Sequence, residues 1–173
     1  MGAKLYKQFQ EFHDAIKLDK ESTPLKEKRE TLESDIKSKL PGELESIGIS
    51  ITKSDLHFFD QGSYRQNTST GIKAGATDRD LAVEFELDKE THNDPRKIKK
   101  CVKSALKIEN KREPVIKEPC VTVTYLKKGE ENIHIDFPIY AIYDGSYYLA
   151  RGKETSANHK WEECDPHGLN EHF

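Results

Sequence analysis

The sequence predicts an α+β fold, a mixed central β-sheet flanked by helices, and three observations carry that prediction. Apolar residues recur at helical spacing near the start, as Leu5, Phe9, Phe12 and Ile16 and then as Leu25, Leu32, Ile36 and Leu40. From Asp80 the period changes to two: Leu81, Val83, Phe85 and Leu87 alternate with Ala82, Glu84 and Glu86, the pattern of a strand with one buried face. A second helical stripe, Ile98, Val102, Ala105 and Leu106, then precedes further strand-like runs. Strands and helices therefore interleave in what the length of 173 residues allows as one domain with a substantial core.

In chain order, two amphipathic helices occupy residues 4–40. Thr23-Pro24 reads as a cap followed by a first-turn proline, and Pro41-Gly42 as the end of the second helix. An extended stretch then leads to Gly62-Ser63. After the alternating strand, Asp94-Pro95 starts the next helix, whose lysines between Lys97 and Lys111 read as its polar face. Strand character returns over 121–126. Lys127-Lys128-Gly129-Glu130 reads as a hairpin turn into a strand over 133–140, and Asp144-Gly145 as a turn before a strand over 147–150. The glycine-serine turn and the sheet thus fill 55–150, and residues 151–173 form a polar tail without a closing helix.

Composition removes several classes of function. Charged and hydrophobic residues each make up 34% of the chain, and the mean hydropathy is −0.84. No run approaches the roughly 18 to 20 apolar residues that span a bilayer, and the charged start lacks a secretory apolar region. A cytoplasmic protein without a membrane partner is the expectation. Cys101, Cys120 and Cys164 form an odd, scattered set without a C-x-x-C pair, so reduced thiols are expected. The net charge of −3 excludes coating of nucleic acid by overall charge and leaves direct nucleic-acid binding open to a local basic groove. His159, Cys164, His167 and His172 match no standard zinc spacing.

The chemistry concentrates in three places. Asp78 and Asp80 are two residues apart at the start of a strand, so both side chains project to one face while Arg79 points away. Two carboxylates so placed suit magnesium, which takes a few carboxylate oxygens and keeps other positions for water and substrate phosphates. Asp136 supplies the third carboxylate, because Ile133, Ile135, Phe137 and Ile139 take the alternate positions that face the core. In the stretch 62–68, Gly62 allows close backbone approach, and Ser63 and Thr68 add hydroxyl donors for phosphates at an expected helix start.

Taken in order, Gly62-Ser63, Asp78-Arg79-Asp80 and His134-Ile135-Asp136 resemble the catalytic pattern of the polymerase-beta-like nucleotidyltransferases. With the opening helices, the segment 61–70 and Trp161 to Leu169 with its Asp165-Pro166, the chain is similar to the bacterial CD-NTases, relatives of the animal cyclic GMP-AMP synthase. The resemblance covers nearly the whole sequence. It implies a cleft that uses Mg2+, with Mn2+ as an alternative, and binds ATP or GTP. It implies release of pyrophosphate and synthesis of a cyclic di- or trinucleotide as an antiviral second messenger. Gly62 and Ser63 match the family's phosphate-binding motif, Asp78 and Asp80 its first two metal ligands, and Asp136 the third. Family members continue into a helical lobe that contacts the bases. The sequence stops before that lobe, as it would in a shortened chain or in one whose lobe is missing or supplied by another chain, and the missing lobe or an activating protein is the implied partner. Two alternatives stand beside this reading: nucleotide transfer to a protein, an RNA or a small molecule, and a nucleotide-binding or interaction module without turnover.

Overall fold

The computed structural model describes residues 23–61, 77–128 and 130–168; the helix expected from Leu5 to Ile16 lies outside them. Helix α1 is Thr23–Glu45, and Leu25, Leu32, Ile36, Leu40 and Leu44 form its buried stripe. The expected stop at Pro41-Gly42 is not observed, since the helix runs through Pro41. Proline removes one helical hydrogen bond, but Leu44 carries the buried stripe one turn further, with no accessible surface. The helix ends at Glu45 and the chain turns away at Gly48, where φ is +84°. Gly48 N donates to Glu45 O and Ile49 N to Leu44 O, both at 3.0 Å. These two bonds satisfy the last carbonyls in a Schellman end, and the buried Ile49 supplies the apolar contact that accompanies it.

The strands are β1 (His57–Gln61), β2 (Thr77–Glu86), β3 (Val115–Ile116), β4 (Val121–Lys127), β5 (Glu130–Phe137), β6 (Ile139–Tyr143), β7 (Ser146–Arg151) and β8 (Lys160–Cys164). They form one sheet in the order β3-β4-β5-β2-β6-β7-β8, with β1 also paired to β2. Helix α2, Pro95–Leu106, starts as expected: the Asp94 carboxylate accepts from Arg96 N and Pro95 opens the first turn. It makes the crossover that lets β2 and β5 run parallel. The turn at Asp144-Gly145, with φ of +50° and +75°, joins β6 to β7 as a two-residue hairpin whose positive dihedrals match the strand twist.

The run expected as one strand over 133–140 is two. β2 keeps a single parallel register along both, from Thr77↔Ile133 to Asp80↔Asp136 and from Val83↔Ile139 to Glu86↔Ile142. Pro138 interrupts the ladder because it has no N–H to give, although its carbonyl still accepts from Val83 N at 2.9 Å. β4 pairs with the course before Pro138 and β7 with the course after it. The stretch read as a polar tail contains β8, in which Trp161 packs against the core and donates Nε1 to His92 O at 2.8 Å.

One face of the sheet is covered. Leu81, Val83, Phe85, Ile133, Ile135, Phe137, Ile139, Val121 and Val123 are buried with the apolar stripes of α1 and α2, and at roughly 1.5–3 kcal/mol per fully buried aliphatic side chain this layer dominates stability. One lysine departs from the polar-face reading. Lys99 has no accessible surface, and its ammonium donates to the carbonyls of Lys117 at 2.6 Å, Glu118 at 2.8 Å and Gly152 at 2.9 Å. Its three protons meet three acceptors, which is what makes a buried charge tolerable. Among the described residues no helix is long and apolar enough to cross a membrane.

Candidate active site

The face of the sheet opposite α1 and α2 carries the carboxylates. Asp78 and Asp80 sit at the start of β2 on one side of its pleat. Between them Arg79 points to the helix side, where it is 4% exposed and its Nη2 donates to Asp60 Oδ1 at 2.6 Å. Asp136 is the direct lateral partner of Asp80 across the parallel ladder, and His134 is the partner of Asp78. The structure thus brings the three aspartates to adjacent positions on two neighbouring strands. Gly62, Ser63 and Thr68 lie outside the described residues. β1 ends at Gln61, opposite Asp80, and the Gln61 amide meets the hydroxyl of buried Tyr140 at 2.9 Å.

Like charges and burial shape this site. Asp80 is partly buried, and its pKa is raised first by desolvation and then by the charges of Asp136 and Asp78, with Lys117 opposing. Asp136 takes a hydrogen bond from the Thr122 hydroxyl and has Lys117 Nζ 3.7 Å from the same oxygen, Oδ1. Thr124 Oγ1 stands 3.3 Å from His134 Nδ1. The three carboxylates share the face without closing into one ligating set: among the described residues no three His, Cys, Asp or Glu side chains gather closely enough to hold an ion. The donor chemistry fits a hard divalent cation nonetheless, since all three groups offer carboxylate oxygen and their mutual repulsion is what such a cation would relieve.

Thr122, Lys117 and Gln61 are site neighbours that the sequence reading did not select. Thr122 and Thr124 could have been suspected, because they alternate with Val121 and Val123. Their register against β5 could not be counted from the hairpin turn, since the β4–β5 pairing slips at Tyr125/Leu126. Lys117 lies in the turn between β3 and β4 and carries no pattern at all. Farther along the same face, His167 Nε2 lies 3.1 Å from Glu84 Oε2, with the ring 4.4 Å from Phe59 and 5.0 Å from Tyr147. His159 instead stands 3.7 Å from Asp94, so these two tail histidines go to separate partners, and His172 lies outside the described residues.

A mixed sheet backed by helices, with aspartates at the start of one strand and beside it on a parallel neighbour, defines the polymerase-beta-like nucleotidyltransferase fold. Comparison with solved structures agrees. The chain is similar to the 3'-deoxy ATP-bound form of Vibrio cholerae DncV, at 16% identity and a TM-score of 0.63, over 92% of this chain and 56% of that one. It is also similar to the Bradyrhizobium diazoefficiens CD-NTase CdnG in complex with GTP, at 14% identity and a TM-score of 0.60, over 84% of this chain and 39% of that one. Residues 56–140 match the family described as the cyclic GMP-AMP synthase DncV-like nucleotidyltransferase domain. That match takes in a little under half of the chain, and the structural likeness shows that the chain has the fold of these nucleotidyltransferase cores. The chain spans a little over half the length of the DncV structures it matches. A comparison with curated proteins finds no match.

Proposed function

We propose that this chain is the metal-dependent catalytic core of a synthase that joins nucleoside triphosphates, ATP or GTP, into a cyclic di- or trinucleotide signal in antiviral defence, releasing pyrophosphate. The observation that carries the reading is the lateral pairing of Asp80 with Asp136, with Asp78 two residues away on the same face. These three carboxylates would hold Mg2+, or Mn2+ in its place. When bound, such ions supply Lewis-acid activation of the attacking ribose hydroxyl and neutralise charge on the triphosphate and the leaving pyrophosphate. Asp136 would also accept the hydroxyl's proton. Gly62, Ser63 and Thr68 would hold the donor triphosphate, a role supported by the chain's leaving β1 at Gln61, opposite Asp80. The nucleotides named in the DncV and CdnG structures support triphosphates as substrates of this core.

The test is a product assay with the purified chain, α-labelled ATP, GTP, CTP and UTP, and Mg2+ or Mn2+, with Asp136→Asn as control. A phosphatase-resistant labelled product, absent from the folded control, is the expected result. Label transferred to an added protein, RNA or small molecule would instead favour nucleotide transfer to an acceptor. Full activity of folded Asp136→Asn would remove Asp136 from the mechanism.

A further inference from the structure

Asp136 is the one site carboxylate among the described residues that receives both a donated hydrogen bond and a cationic neighbour from another element, and the two converge on one oxygen. Thr122, its register partner on β4, is 2% exposed and gives its hydroxyl proton to Asp136 Oδ1. With that proton committed, the Thr122 oxygen is left as an acceptor, and Cys120 Sγ stands 3.6 Å from it. Burial pushes the Cys120 thiol up to about 11, so it keeps the proton that it can offer. A directed chain therefore runs from thiol to hydroxyl to carboxylate through the sheet face. Lys117 Nζ approaches the same Oδ1 at 3.7 Å. Its backbone is fixed from two sides: Lys117 N donates to Cys120 O at 2.9 Å, and its carbonyl receives the buried Lys99 ammonium at 2.6 Å.

We propose that Thr122 is a positioning residue that aims the Asp136 carboxylate, while Lys117 competes with a bound cation for that carboxylate's charge; the inference rests on the metal-holding role proposed above. Both contacts fall on Oδ1, so Oδ2 is the oxygen they leave for a ligand. Removing the hydroxyl frees the carboxylate to rotate and lowers its fitness as a ligand, an outer-shell loss that typically costs about 10- to 100-fold in metal affinity. Removing the lysine charge acts in the opposite direction, because the carboxylate then faces the ion without a rival cation. Opposite effects from two neighbours of one oxygen are not what a purely structural role would give.

The experiment is titration of the full chain with Mn2+ alone, following the free-ion signal by electron paramagnetic resonance, for wild type, Thr122→Val, Thr122→Ser, Lys117→Met and Asp136→Asn. Thr122→Val should bind Mn2+ about tenfold more weakly. Thr122→Ser, which keeps the hydroxyl, should match wild type, and Lys117→Met should bind a fewfold more tightly, more so at low salt. If Asp136→Asn loses binding while Thr122→Val keeps it, or if Thr122→Ser is as weak as Thr122→Val, the positioning role is overturned. If Thr122→Val does not fold, Lys117→Met decides on its own, and unchanged or weaker binding there overturns the proposal. Absence of Mn2+ binding by wild type overturns the metal-holding role itself and this inference with it.

Discussion

At Asp80 the proposed function would oppose stability at a single position. Its carboxylate is partly desolvated and faces Asp136 and Asp78, and these causes raise its pKa. The sign follows: the folded state holds the Asp80 proton to higher pH than the unfolded chain does, so this group costs stability as pH rises through that interval and at every pH above it. Replacement by Asn removes the charge and keeps the shape. Asp80→Asn should therefore raise the unfolding free energy at pH 7, by up to about 1 kcal/mol, while abolishing turnover. Urea denaturation beside the product assay measures both, and a destabilised variant would show that the like-charge cost is small. The aspartates were legible as a pair in sequence because strand periodicity alone puts residues two apart on one face. Thr122 and Lys117 were not, since neither carries a chemistry that stands out before its neighbour is known.

Among the elements, α1 records a conflict between two local signals and one nonlocal one. Pro41-Gly42 reads as a stop, yet the helix continues because Leu44 can be buried, and side-chain burial outweighs one lost hydrogen bond. The stop that holds is Gly48, at φ +84° with nothing within 4 Å of where a Cβ would sit. Gly48→Ala should cost about 1 kcal/mol through backbone strain alone. Gly152, which follows β7, lies at φ +121°, and an added Cβ would stand 2.7 Å from His159 Cβ. Gly152→Ala should cost distinctly more, because a clash is added to the strain. Parallel urea melts order the two, and equal losses would contradict the packing argument. Strand existence was readable from alternation, whereas β8 was hidden: its sequence of Lys160 to Cys164 alternates weakly, and it is held by pairing with β7.

Across the whole molecule, Lys99 ties the helical layer to the two turns behind the site. Its three bonds join α2 to the 117–118 turn and to Gly152 after β7. Burial lowers its pKa to about 8 from 10.5. The unfolded chain therefore binds the more protons between those values, and stability from this group rises with pH there by about 1.4 kcal/mol per unit. Below pH 8 the ammonium is present and its donors are matched. Lys99→Met strands the carbonyls of Lys117 and Gly152, while Glu118 O keeps its bond from Gly152 N, and should cost about 3 kcal/mol at pH 7. The gap between wild type and variant should widen between pH 8 and pH 10. Denaturation at both ends measures it, and a constant gap would mean that the proton is not lost in that interval.

By itself the sequence determined the α+β class, the strand that carries Asp78 and Asp80, the outward placement of Asp136, and the start of α2. Each of these follows from periodicity or from a cap within a few residues, which is information a chain carries locally. The tertiary structure alone decided that Asp80 lies beside Asp136, that the strand after Asp136 breaks at Pro138 to serve two neighbours, that α1 runs past its proline, and that a lysine on a polar-looking helix is buried. Those outcomes depend on which distant segments pair and what surface they cover, and the free energies involved appear only once the partners have met.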